Sequence, residues 1–312
     1  MIYGKAVMCR KGRQGMKQTL QTLLTYGREQ LKRKGSPEPE LDAKYLLLEA
    51  FRTDMVHFLM NRSQELPDSP ESLAMVERYR GMIAQRGRRI PLQQILGTQE
   101  FMGLSFYVNR HVLIPRQDTE TLVELVLKEH PGNGESVLDL CTGTACIALS
   151  LAVKGNYGWI CGVDLSHEAL KVAEKNKARL LSEAGQIRFE LLEGDLCHAL
   201  SHSDWMKNGK KFDILVSNPP YIPTHVIEGL EPEVRDYEPR MALDGSGDGL
   251  AFYRRIADES KACLNEGAAI YLEIGCDQRE AVQELLSEAG FSHIRIFPDA
   301  SGNDRVVAAC WH

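Results

Sequence analysis

From residue 136 to the end of the chain, one rhythm constrains the fold more than any other feature. Short apolar or β-branched runs, "SVLDL", "WICGVDL", "IRFELLEG", "FDILVSN" and "AAIYLEIG", alternate with helical patterns such as "HEALKVAEKNKARLLSEAG". Near-continuous apolar strands are strands covered on both faces, and strand–helix alternation implies parallel crossovers. The expected architecture is therefore α/β: an open, mostly parallel, Rossmann-like sheet with helices on both sides. Two further runs, "FSHIRIFPD" and "RVVAACW", are separated only by a turn at Gly302. That turn is too short for a parallel crossover, so at least one strand at the C-terminal end must run antiparallel.

The first third reads differently. Leu20, Leu23, Leu24 and Leu31 lie on one helical face that stops at Gly35. "LDAKYLLLEAF" is a second helix expected to pack through Leu41, Tyr45 and Leu48; Ser69 and Pro70 start a third, with Leu73, Val76, Arg80 and Ile83 at helical spacing. Arg78, Arg80, Arg86, Arg88 and Arg89 crowd its end, as a solvated face or as a surface for an acidic partner. A hairpin follows, with strands expected around Phe101, Leu104, Phe106, Val108, Val112 and Ile114, and Thr119 and Glu120 then open another helix. At 312 residues the chain suits two domains. The expected division is a disordered tail over 1–15, with Met8 and Met16 as alternative starts, a helical domain over 16–95, a β-hairpin linker over 96–115 and the α/β domain over 116–312.

Open parallel sheets bind ligands at the carboxyl ends of their strands. The first strand ends at Asp139 and enters a helix through Thr142, Gly143 and Thr144, where glycine permits close backbone approach and the helix terminus offers unpaired N–H groups. The second ends at Asp164, placed to accept two ribose hydroxyls; the third ends at Gly194 and Asp195, placed to meet an adenine edge. Each signal alone also fits a turn or a helix cap. A dinucleotide fingerprint would need glycine at 141 and 146, where the chain has Cys141 and Cys146, and no Gly-Lys-Ser/Thr follows the turn. An adenosine-bearing ligand without pyrophosphate remains, and S-adenosylmethionine is the expected one.

The fourth strand runs into Asn218-Pro219-Pro220-Tyr221. The prolines surrender two backbone donors and fix two φ angles where a sheet would continue. The Asn218 side-chain oxygen and the Pro219 carbonyl can each accept one N–H of a planar NH2 group, turning its lone pair toward a methyl donor, with Tyr221 as a flat wall. The same geometry serves a glutamine amide or the exocyclic amine of adenine in a nucleic acid.

These motifs, with "PLQQILGTQEF", "VLIPRQDTETLVE", "VLDLCTGTACIAL", "GVDLS", "YEPRMALDGSGDGLAFYRRI", "LEIGCDQ" and "DASGNDRVV", resemble the glutamine N5-methyltransferases that modify the Gly-Gly-Gln loop of peptide-chain release factors. The resemblance covers residues 16–312. It implies a seven-stranded methyltransferase sheet and a front domain that recognises substrate. It also implies an S-adenosylmethionine site at Cys141, Thr142, Gly143, Thr144, Ala145, Asp164, Asp195, Leu196 and Asn218, yielding S-adenosylhomocysteine. The substrate glutamine is implied at Asn218, Pro219, Pro220 and Tyr221, with Asn218, Pro219 and Tyr221 as the catalytic set. A relative that methylates a large-subunit ribosomal protein reads the same amide, so these motifs leave both substrates open. The chain departs from the family at Cys141 and Ala145, often glycine, at Gln117, usually proline, and at Gln94, commonly tyrosine. Arg116, Thr119 and Glu120 either pin the linker to the cofactor pocket or, through Thr119, cap a helix.

Glu228, Glu231, Glu233, Asp236 and Glu238 stud a long segment beyond Tyr221, each read by default as a solvated carboxylate on a loop flanking the substrate entrance. "DGSGDG" lacks the later glutamate of a calcium loop, and the nine histidines have no metal-ligand spacing, so no metal is expected. Eight cysteines without a C-x-x-C pair read as reduced thiols of a cytoplasmic protein. A net charge of −6 argues against stable nucleic-acid binding, no apolar run approaches a membrane span, and a monomer is expected.

Overall fold

The computed structural model describes residues 18–181 and 188–312. The tail expected over 1–15 lies outside them, as does the end of "KARLLSEAG". The chain divides into two compact units between Leu96 and Gly97.

The first unit is helical: α1 (Leu20–Arg33), α2 (Pro39–Phe51), α3 (Met55–Asn61), α4 (Pro70–Arg86) and α5 (Leu92–Leu96). Thr19 and Ser69 cap α1 and α4 through backbone N–H groups of Thr22 and Ser72, which explains where those helices begin. Leu20, Leu23 and Leu31 pack with Leu46, Leu47, Val76, Tyr79 and Ile83. The face of α2 differs from expectation. Ala43, Leu46, Leu47 and Ala50 are buried, while Tyr45 is 44% exposed. "YLLLEA" is apolar nearly all round, so periodicity alone could not set its phase. Leu73 likewise points outward, and Arg80 pairs with Glu77 on the surface. Arg86 does not belong to a solvated face: it is buried, with its Nε 2.8 Å from Asp42 Oδ2, and Asp42 also accepts from the Ser36 hydroxyl at 2.6 Å.

The second unit opens with a hairpin, β1 (Thr98–Phe101) and β2 (Leu104–Tyr107), turning at Met102-Gly103. Residues 108–116 are irregular rather than a further strand. Val108 and Val112 are nevertheless buried, against Ala169 and Val172. A 3-10 turn, Gln117–Thr119, leads into α6 (Glu120–Glu129).

The sheet then follows the expected alternation: β3 (Ser136–Leu140), α7 (Cys146–Lys154), β4 (Trp159–Asp164), α8 (His167–Leu180), β5 (Arg188–Glu193), the short α9 (Asp204–Lys207), β6 (Phe212–Ser217), the short α10 (Pro232–Arg235), α11 (Ala251–Glu259), β7 (Leu264–Glu273), α12 (Arg279–Glu288), β8 (Ser292–Pro298) and β9 (Asp304–Cys310). Its seven strands lie in the order β5-β4-β3-β6-β7-β9-β8. The first five are parallel, and β9 inserts antiparallel between β7 and β8. Two apolar layers cover the sheet. One includes Leu138, Trp159, Leu215 and Tyr253, and the other Val137, Ile160, Ile214 and Leu122. Phe101 and Phe106 join the second layer, so the hairpin packs as part of this unit. The strand order reverses between β3 and β4 on one side and β6 on the other, which opens a crevice at their carboxyl ends.

Candidate active site

A cavity of about 360 Å³ fills that crevice. Its lining includes Cys141 and Gly143 after β3, Asp164 after β4, Gly194, Asp195 and Leu196 after β5, and Asn218 and Pro220 after β6. Four strand ends separated by up to 79 residues in sequence therefore meet at one hollow. Thr142, Thr144, Ala145, Pro219 and Tyr221 lie behind it, outside its lining.

The β3–α7 turn is built around a buried carboxylate. Asp139 Oδ2 accepts from the Thr142 hydroxyl at 2.6 Å and from Ala148 N–H at 3.3 Å, while its Oδ1 has no partner. Burial pushes its pKa up to about 7, against the pull of those two donors. Thr142 is held further by N–H donation to the Val163 carbonyl, and Asn176 of α8 donates to the Thr144 carbonyl at 3.0 Å. Gly143, at φ +55, donates its N–H to Asp164 Oδ2 at 2.8 Å; the space where its Cβ would sit is open. A ligand can therefore approach that backbone closely. Asp164 Oδ1 accepts from Ser166 N–H at 2.8 Å, so each carboxylate oxygen is aimed by one backbone donor and keeps a lone pair for a ribose hydroxyl. Burial raises the Asp164 pKa. Asp195, expected at an adenine edge, has Oδ1 2.9 Å from Arg255 Nη1, and Leu196 is buried at φ +47.

At the end of β6, Asn218 is half-buried and its Nδ2 donates to Thr119 Oγ1 at 3.3 Å. Pro219 and Pro220 are buried. Tyr221 directs its hydroxyl to Glu273 Oε1 at 3.3 Å, and its carbonyl accepts from Gln278 Nε2 at 2.9 Å. Thr119 makes no side-chain cap to α6 and meets cavity-lining Asn218 instead, whereas Glu120 accepts from the Met102 N–H of the hairpin turn, so of the three residues expected to pin the linker Thr119 alone bonds to the cavity wall. Arg116 Nη2 reaches both oxygens of Glu238 at 2.9 and 2.7 Å. Glu238 is buried rather than solvated, and burial pushes it up to about 6 against the pull of Arg116.

Several groups at the site were not singled out from sequence. His111, Val112 and Leu113 of the irregular segment line the cavity, as do Pro239, Met241, Asp244 and Phe252. Asp244 ties the two ends of the long loop together by accepting from the Thr224 hydroxyl at 2.6 Å and from Ser246 N–H at 3.0 Å. Glu273, 1% exposed, carried one available signal: a carboxylate ending the all-apolar run "AAIYL".

Two family models match the chain, a PrmC N-terminal domain over residues 22–97 and a methyltransferase domain over 131–258. The release factor glutamine methyltransferase of Geobacter sulfurreducens is 42% identical over 93% of this chain and 95% of its own length. The chain belongs to the release factor glutamine methyltransferase family. The enzyme of that name from Caulobacter vibrioides is 39% identical, with the same coverage of both chains. Among solved structures, the hMettl16 catalytic domain, determined with a MAT2A 3'UTR hairpin, superposes with a TM-score of 0.52 over 73% of this chain and 81% of its own; at 18% identity it shares the fold alone. Membership sharpens the meaning of Cys141 and Ala145, where the resemblance expects glycine. Both take left-handed backbone, φ +60 and +61. That conformation costs a non-glycine residue about 1 kcal/mol or more, and here the fold absorbs the cost.

Proposed function

We propose that this protein methylates the side-chain nitrogen of the glutamine in the Gly-Gly-Gln motif of peptide-chain release factors, using S-adenosylmethionine. The carrying observation is the convergence of Gly143, Asp164, Asp195 and Asn218 on one cavity in a chain of this family. The donor set fits the cofactor: a backbone that can be approached closely, a carboxylate with two free lone pairs, and the loop at Asp195 and Leu196. When bound, S-adenosylmethionine supplies an electrophilic methyl group.

The chain's own residues prepare the acceptor. A glutamine amide nitrogen is a poor nucleophile because its lone pair is delocalised. Asn218 Oδ1 and the Pro219 carbonyl accept its two hydrogens, which fixes the amide plane so that the lone pair perpendicular to it faces the methyl donor, and they stabilise the charge that develops on nitrogen. Pro219 and Pro220 keep that carbonyl rigid. Tyr221, tethered at its hydroxyl and at its carbonyl, walls the planar group. The helical unit over 16–95 recognises the release factor, the hairpin over 96–115 links it to the catalytic part over 116–312, and the enzyme acts as a cytoplasmic monomer without stable nucleic-acid binding.

Purified enzyme with methyl-labelled cofactor should label release factor at the Gly-Gly-Gln glutamine. Labelling of the large-subunit ribosomal protein instead would move the substrate, and labelling of DNA alone would overturn the reading.

A further inference from the structure

Glu273 ends β7 directly beneath the clamp, and the proposed chemistry leaves it without a task. It is 1% exposed. Its Oε1 accepts from the Tyr221 hydroxyl at 3.3 Å, while Oε2 is buried with no hydrogen-bond partner. A buried carboxylate atom without a donor is costly, and such an atom persists in a native site only where something offsets it. The neighbouring hydroxyl that favours the Glu273 carboxylate, besides that of Tyr221, is Thr119. Thr119 is also the residue that receives the Asn218 amide hydrogen at 3.3 Å.

A hydroxyl has one hydrogen to give. If Thr119 gives it to the Glu273 carboxylate, only its lone pairs face Asn218. Asn218 must then present its NH2 to Thr119 and its Oδ1 to the cavity, which is the orientation that accepts a substrate N–H. A protonated Glu273 reverses the chain: it donates to Thr119, Thr119 can donate to Asn218, and the asparagine amide no longer has a unique orientation. We infer that Glu273 is a positioning residue for methyl transfer, acting through Thr119 to set which way the Asn218 amide faces and through the Tyr221 hydroxyl to hold the ring of the clamp. The inference rests on the proposed role of Asn218.

The groups around Glu273 define when it is charged. Arg305 of β9 favours the carboxylate, as do the Thr119 and Tyr221 hydroxyls; Asp118 opposes it. Cys146 and Tyr253 face it as neutral groups whose own ionisation it disfavours. Arg305 is shared, since it also contacts Asp118 at 3.4 Å and Asp299 at 3.1 Å. Burial outweighs the favourable partners and pushes Glu273 up to about 7. The positioning state is therefore gained as pH rises through neutrality.

The test uses full-length enzyme, release factor as substrate, and cofactor affinity measured calorimetrically with S-adenosylhomocysteine. Glu273→Gln and Thr119→Val should each lower kcat about 10- to 100-fold, the loss typical of a misaligned reacting group, with cofactor affinity unchanged. Thr119→Ser, which keeps the hydroxyl, should restore turnover. Wild-type kcat should fall as pH drops through about 7, and this limb should vanish in Glu273→Gln. Asp139, also pushed up to about 7, would leave the limb in place if it were the cause. Unchanged kcat in Thr119→Val, or a limb that survives Glu273→Gln, would overturn the inference. Thr119→Val carries the test alone if Glu273→Gln does not fold. Asn218→Ala should cost about 100- to 1000-fold in kcat. Normal turnover in that variant would sink the underlying reading itself, whereas loss there combined with unchanged Thr119→Val would sink only the role of Glu273.

Discussion

Single carboxylates show how much burial changes a residue's meaning. Asp139 was read as the end of a strand; in the fold it is fully enclosed and pushed up to about 7. Its folded pKa lies above its unfolded value, so between about pH 4 and 7 the folded state holds a proton that the unfolded chain has released. Stability therefore falls as pH rises across that window, and Glu238 and Glu273 act with the same sign. Asp248 has the opposite sign in a separate window. The Arg254 guanidinium first, then a backbone N–H, holds it at about 2, so its contribution is lost only in strong acid. We expect the melting temperature of Asp139→Asn to fall less than that of wild type between about pH 5 and about pH 8. Parallel melting curves in the two proteins would show that Asp139 carries no such linkage. None of these shifts is legible in sequence, because each depends on what other elements place around the carboxyl.

At the level of elements, the strands and most helix starts were legible. A run such as "FDILVS" between polar segments has few alternatives, and Thr19 and Ser69 announce their helices by the donors they satisfy. The phase of α2 was not, because an all-apolar stretch fits several faces until a partner selects one. Val112 and Ile114 were misread for a related reason. Both are buried, but as irregular chain rather than as a paired strand, and Val112 packs on α8 and lines the cavity. The loop behind the clamp depends on close approach. Gly249 sits at φ +77, and a Cβ there would lie 2.4 Å from the Tyr221 carbonyl oxygen and 2.8 Å from Gln278 Nε2. Gly249→Ala should therefore destabilise the protein by about 2 kcal/mol or more and reduce turnover together, as thermal melts and initial rates would show. A variant as stable and active as wild type would mean that the loop relaxes freely.

For the whole molecule, the cavity and every residue of the clamp belong to the unit after Gly97, while the helical unit keeps a buried ion pair of its own, Arg86 with Asp42. Removing one member of such a pair leaves an uncompensated buried charge, at a cost of about 3–5 kcal/mol. Asp42→Ala should therefore reduce hydrogen-exchange protection in α1, α2 and α4 while cofactor affinity in the full chain stays unchanged. A loss of cofactor binding would contradict that assignment. Sequence by itself determined the class of the sheet, the antiparallel strand at its end and the order of the strand-end motifs, because these follow from local periodicity, turn length and residue type. Only the tertiary structure decided that Arg86 and Glu238 are buried, that Thr119 turns to Asn218 instead of capping a helix, and that Glu273 stands beneath the clamp. Those outcomes depend on contacts between segments as much as 122 residues apart, such as Arg116 and Glu238, and no local pattern encodes which distant polar group will meet which.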